Sequence, residues 1–165
     1  MLHINIICVG KLKEKYLQDA LAEYSKRLSK YCNLNIIELP DEKLPNNLND
    51  SLIKQIKSKE SNNILSHIEK GSYVLALDLK GKQYSSEEFS QKITNISLNS
   101  SSNITFVIGG TLGLDENVLK NSNELICFSK MTFPHQLIRI FLLEQIFRAF
   151  KISNRWKLSQ VIPII

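Results

Sequence analysis

The segment FSKMTFPHQLIRIFLLEQIFRAFK, Phe128 to Lys151, constrains the fold more than any other stretch of the chain. A polar, cationic turn runs into Pro134, a residue suited to a first helical turn. The residues beyond it predict one long helix. On a helical wheel Leu137, Ile138, Ile140, Phe141, Leu142, Leu143, Ile146, Phe147 and Phe150 leave no wide polar face. Such a helix needs cover on two sides. One side is met by a sheet of its own subunit. For the other, a second copy in a two-fold dimer is expected rather than burial within one subunit, because 165 residues offer little further material.

Upstream, strand-like and helix-like segments alternate. LHINIICVG is a buried strand ending at Gly10. Leu17, Leu21, Tyr24, Leu28 and Tyr31 recur at helical spacing and predict a helix from about Glu14 to Tyr31. LNIIELP is a second strand, stopped by Pro40, and DEKLPNNLND a polar loop. Asp50 or Ser51 is placed to cap the next helix, which runs to about Ile68 and carries Lys57 and Glu60 in the middle of its apolar face. SYVLALDL is a third strand, after which KGK turns the chain. SSEEFSQKITNISL opens with a serine cap and acidic first-turn residues, as a helix does. ITFVIGG, DENVLKNS and ELICFS supply a fourth strand, a short helix and a fifth strand. Continuously apolar strands alternating with helices predict an α/β fold, with a mainly parallel sheet and helices on both faces. With no repeat and no linker, residues 1–152 read as one domain and 153–165 as a tail.

Charge and cysteine content set looser bounds. The formal charge is +5 and the pI about 9.1, an excess that points only weakly to a polyanionic partner. The cysteines number three, with no short metal-type spacing. Cys8 and Cys127 sit in apolar strands, as buried reduced thiols of a cytoplasmic protein would. No leader peptide and no membrane span are expected.

Ligands of open α/β sheets bind outside the carboxyl ends of the strands. Here three such ends share a character: Leu77 to Gly81, the glycine loop Gly109 to Gly113, and Ser129 to His135. If their strands are neighbours, the three loops line one pocket. GGTLG is neither a dinucleotide fingerprint nor a phosphate loop, and it also reads as a tight strand-to-helix turn. His135 and Arg139 fall on one helical face at i, i+4, and Glu144 and Arg148 form a second such pair on roughly the opposite face.

The blocks ICVGKLKEKYLQDALAEYSKRL, FVIGGTLGL and FSKMTFPHQLIRIFLLEQIFRAFKI resemble the ribosomal RNA large subunit methyltransferase H family of the SPOUT superfamily, over about Met1 to Ile152. The resemblance implies a C-terminal trefoil knot, a homodimer, and S-adenosyl-L-methionine bent into the knot with no metal. It implies methyl transfer to N3 of a pseudouridine in large-subunit rRNA of assembled ribosomes. Matched onto this chain, the cofactor contacts fall on Leu77, Gly109, Phe128, Ser129, Lys130, Met131, Thr132 and Phe133. The imide nitrogen must lose a proton, so His135 is the candidate base or RNA contact, with Arg139 and Arg148 holding phosphate or orienting substrate.

The family's usual ending, a short tail closing with Tyr-His-Lys beside the site, has no counterpart here. After Ile152 the chain reads SNRWKLSQVIPII. Either these residues are a replacement of the terminal codons, or Trp156 stacks on a base while Arg155 and Lys157 hold phosphates. The first reading leaves open a catalytically impaired dimer that binds cofactor and ribosome.

Overall fold

The computed structural model describes the chain from Met1 to Leu158, with side chains through Asn154. Its elements run β1 (Leu2–Val9), α1 (Lys15–Leu28), β2 (Cys32–Leu39), α2 (Asp50–Ser66), β3 (Tyr73–Lys82), α3 (Ser86–Asn99), β4 (Asn103–Ile108), α4 (Glu116–Lys120), β5 (Glu124–Ile126) and α5 (His135–Leu158). The strands form one five-stranded sheet in the order β2-β1-β4-β3-β5. Every pairing in it is parallel. The alternation expected from the sequence is therefore present, and the carboxyl ends of β4, β3 and β5 lie side by side.

Period-two alternation splits the apolar residues between two layers. Ile4, Ile6 and Cys8 of β1 join Phe106, Phe89, Ile93, Leu142, Leu143 and Ile146 beneath α3 and α5. Ile7 and Val9 face the other way, with Ile64, Val107, Leu114 and Val118 beneath α2 and α4. Leu12, Leu17 and Ile140 make a smaller cluster where α1 meets α5. Fully burying a side chain such as Leu142 or Leu143 contributes about 1.5–3 kcal/mol.

The dense apolar surface of α5 finds most of its cover inside the subunit. Leu142, Leu143, Ile146 and Ala149 are buried against the sheet and α3. Tyr31, just past α1, stacks on Phe150 at 5.6 Å and meets Phe147 edge-on at 6.1 Å. Within the subunit, α1 and α3 flank the helix. An outward strip remains: Phe141 is 41% exposed and Phe133, which it meets edge-on, 39%. Among the described residues no helix is long and apolar enough to cross a membrane.

Local expectations meet mixed outcomes. The cap of α3 is as expected, with Ser85 and Glu88 forming a reciprocal capping box. The cap of α2 is not Asp50 or Ser51 but Asn49, whose extended backbone lets its side chain accept the Leu52 N–H at 2.8 Å. α2 also stops at Ser66, short of Ile68. The chain bends around KGK without leaving the strand: β3 runs on to Lys82, and Leu77 and Lys82 both pair with Ile126 around an irregularity. Gly81 makes this possible, since a Cβ there would lie 2.5–2.7 Å from the Ile126 backbone. Only glycine permits so close a crossing of two chain segments.

Candidate active site

The three strand-end loops do converge. Leu77 and Asp78 from β3, Gly109 to Asp115 after β4, and Cys127 to Phe133 after β5 supply wall residues of a cavity of about 500 Å³. That size lies within the range of small-molecule sites. Of the residues matched to cofactor contacts, Leu77, Gly109, Phe128, Ser129, Met131, Thr132 and Phe133 line it. Lys130 is exposed and not part of the wall.

Hydrogen bonds within each loop give the cavity its shape. Gly113 N–H donates to the Gly110 carbonyl at 3.0 Å, closing the glycine turn. Ser129 Oγ accepts the Met131 N–H at 3.0 Å. The Cys127 thiol donates to the Ser129 carbonyl at 3.0 Å. Asp78 accepts the Lys80 N–H at 2.9 Å. The wall is mainly apolar, through Leu77, Ile108, Leu112, Leu114 and Ile126, with Asp78, Asp115 and Glu116 as its carboxylates. A smaller cavity of about 240 Å³ shares Ile126, Cys127 and Phe128 with it and is otherwise lined by Tyr84, Ser85, Ser86, Phe89, Phe141 and Gln145.

His135, the first residue of α5, lines the main cavity. Its Nδ1 is buried without a protein partner. Burial lowers its pKa from the ordinary 6.5, and the nearby Arg139 cation lowers it further, while Asp41 opposes both. The ring is therefore mainly neutral near neutral pH, the form a general base needs.

Arg139 does not line the cavity. It is fully buried, donating to Glu38 Oε2 at 2.8 Å and to the Gly10 carbonyl at 3.1 Å. The i, i+4 reading placed it correctly beside His135 but assumed that the face was open; β2 and the turn after β1 close over it. Arg148 does not join His135 either. It lies thirteen residues along α5, about 20 Å by helical rise, and lines neither cavity. Its Nε and Nη2 both donate to Glu144 Oε1, at 3.1 and 2.7 Å. Arg155, Trp156 and Lys157 lie outside the described side chains.

Sequence reasoning missed Asp41 and Gly10. Gly10 adopts φ +96°, a conformation that L side chains rarely take. A Cβ on it would stand 3.7 Å from both the Asp41 carboxylate and His135 Cε1. The available signal was a glycine directly after a strand, together with an acid directly after Pro40.

A family model described as predicted SPOUT methyltransferase matches residues 2–157. A protein named ribosomal RNA large subunit methyltransferase H from Clostridium botulinum (strain Eklund 17B / Type B) is 61% identical over 93% of this chain and 96% of its own length. Its namesake from Clostridium acetobutylicum is 59% identical over the same shares. Ribosomal RNA large subunit methyltransferase H 1 from Clostridium perfringens (strain SM101 / Type A) is 58% identical, again over 93% and 96%. Among solved structures, a probable methylase family protein from Haemophilus influenzae Rd KW20 superposes with a TM-score of 0.54 at 13% identity. It covers 98% of this chain and 72% of that one, a likeness of fold alone. With its parallel sheet, its gathered strand-end loops and its close relatives, this chain belongs to the SPOUT methyltransferases, in the ribosomal RNA large subunit methyltransferase H family.

Proposed function

We propose that this chain uses S-adenosyl-L-methionine to methylate N3 of a pseudouridine in large-subunit rRNA of assembled ribosomes, working as a homodimer in the cytoplasm. The observation that carries this reading is the convergence of the three strand-end loops on one cavity with His135 in its wall. The residues present suit the donor. Apolar walls at Leu77, Leu112 and Leu114 fit an adenine, and the carboxylates of Asp78, Asp115 and Glu116 stand in the wall with Lys57 and Lys80. When bound, the donor supplies an electrophilic methyl on a sulfonium.

The chain's part is binding, placement and proton removal. The loop after β5, braced by Ser129 and Cys127, holds one flank of the cavity. The neutral His135 imidazole would accept the N3 proton, leaving that nitrogen free to take the methyl the donor would supply. Placement and base together contribute orders of magnitude in rate. Residues 1–152 form the catalytic domain, with the family's trefoil knot toward its C-terminal end. The outward strip of α5, with Phe141, Glu144 and Arg148, is the face offered to the second subunit.

One further reading has its own observation, the ending SNRWKLSQVIPII in place of Tyr-His-Lys. A chain impaired by that ending would bind cofactor and ribosome without turnover. Incubation with labelled S-adenosylmethionine and ribosomes from a strain lacking the native enzyme separates the two. Label in rRNA is the expected result. Cofactor binding by calorimetry with no incorporation, restored by grafting Tyr-His-Lys after Ile152, would establish the second reading instead.

A further inference from the structure

Arg139 is the largest side chain buried completely among the described residues. Its guanidinium bridges separate parts of the chain. Nη1 donates to Glu38 Oε2 at the end of β2, and Nη2 to the carbonyl of Gly10 after β1. The same Glu38 oxygen accepts the Leu12 N–H at 3.0 Å. One turn earlier on α5 stands His135, its Cε1 3.7 Å from where a Gly10 Cβ would be. A planar fork gripped on two arms by rigid strand ends fixes the helix from which the imidazole projects.

We propose that Arg139 is a positioning residue for methyl transfer, clamped by Glu38 and the Gly10 carbonyl so as to set where the His135 imidazole stands against the cavity. The proposal rests on the reading of His135 as base and deepens it. The clamp also acts through charge. The charges facing the ring are Arg139 from its own helix and Asp41 from the segment after β2. Glu38 of β2 faces the guanidinium, and Lys57 of α2, Asp78 and Lys80 of β3, Asp115 and Glu116 stand in the cavity wall that includes His135. A fixed cation beside the ring disfavours imidazolium and keeps the proton acceptor free.

The test tracks the His135 ring by NMR across pH, its resonance assigned by comparison with His135→Asn, in the full-length wild type and in Arg139→Gln, Arg139→Lys and Asp41→Asn. Removing the cation should raise the His135 midpoint. Removing the Asp41 carboxylate should lower it. Arg139→Lys keeps the charge and loses the fork, so the midpoint should hold near wild type while kcat on ribosomes falls about tenfold and donor affinity stays put. A folded Arg139→Gln protein with an unmoved midpoint would overturn the proposal. If that variant does not fold, wild-type kcat in Arg139→Lys or an unmoved midpoint in Asp41→Asn would overturn it. Full activity in His135→Asn would remove the base reading, and with it the catalytic purpose of the clamp, whereas the titration reads the clamp on the ring without turnover.

Discussion

α5 carries two arginine–glutamate pairs of equal composition and opposite circumstance. Arg139 meets Glu38 across the fold, with the guanidinium fully buried and the carboxylate side chain 31% exposed. Arg148 meets Glu144 along the helix, with side chains 39% and 26% exposed. Both contacts are short, at 2.8 and 2.7 Å. Distance therefore says little about what each is worth. A charge without access to water depends on its partner, whereas a half-exposed one can turn to solvent.

The largest expected effect is at Glu38. Glu38→Ala leaves the Arg139 cation buried with only the Gly10 carbonyl, and chemical denaturation should show a loss of about 3–5 kcal/mol. A loss under about 1 kcal/mol would mean that water reaches the guanidinium and would erase the contrast between the two pairs. Leu143→Ala tests the packing around them. It removes a fully buried side chain from the layer between α5 and the sheet, at about 2–5 kcal/mol by the same measurement.

The contrast also marks how far the sequence could be read. Alternating apolar segments revealed the parallel sheet, because a strand buried on both faces has little alternative composition. The strand-end loops and most of their cavity residues were legible for the same reason: glycines and small polar residues directly after buried strands have few other uses. Arg139 was not legible. Its partners, Glu38 and Gly10, lie about a hundred residues or more away in sequence, and helical spacing reports which side chains share a face but not what covers that face. The β3 extension through Gly81 escaped notice because Lys-Gly-Lys carries turn chemistry, and only the approach of Ile126 explains the glycine otherwise.

Titration sharpens the comparison further. With its pKa lowered by burial and by Arg139, His135 binds its proton later in the folded state than in the unfolded chain. Stability should thus decline as pH falls below about 6.5 and level off once the folded ring also protonates. The acid limb of kcat should lie below the ordinary histidine midpoint for the same reason, and a pH–rate profile on ribosomes reads it directly. Glu60 gives a smaller effect of opposite sense. Burial raises its pKa, Asp41 and Glu42 push it further up, and the Glu42 N–H it accepts at 3.2 Å opposes them. A carboxyl with a raised folded pKa contributes stability below its unfolded pKa and loses it as pH rises from there through the folded value. Glu60→Gln keeps an acceptor for Glu42 and should raise stability at neutral pH by up to about 1 kcal/mol in thermal or urea unfolding.

The smallest effect belongs to Glu144→Ala, and it decides what the outward strip of α5 is for. In an isolated subunit the pair with Arg148 is a half-exposed i, i+4 bridge, so its loss should cost about 0.3–0.5 kcal/mol and shrink with added salt. If the strip around Phe141 is covered by a second subunit, the same substitution strands Arg148 in an interface, where an unpaired charge is penalised far more heavily. Its cost would then grow with protein concentration, since the dimer's stability includes an association term. Urea unfolding of Glu144→Ala and wild type at two concentrations a hundredfold apart therefore reads two things at once. A small, salt-sensitive, concentration-independent difference leaves the two arginine pairs as unlike as they look in one subunit. A difference that widens with concentration makes them alike, each an arginine that a second layer of protein has closed over.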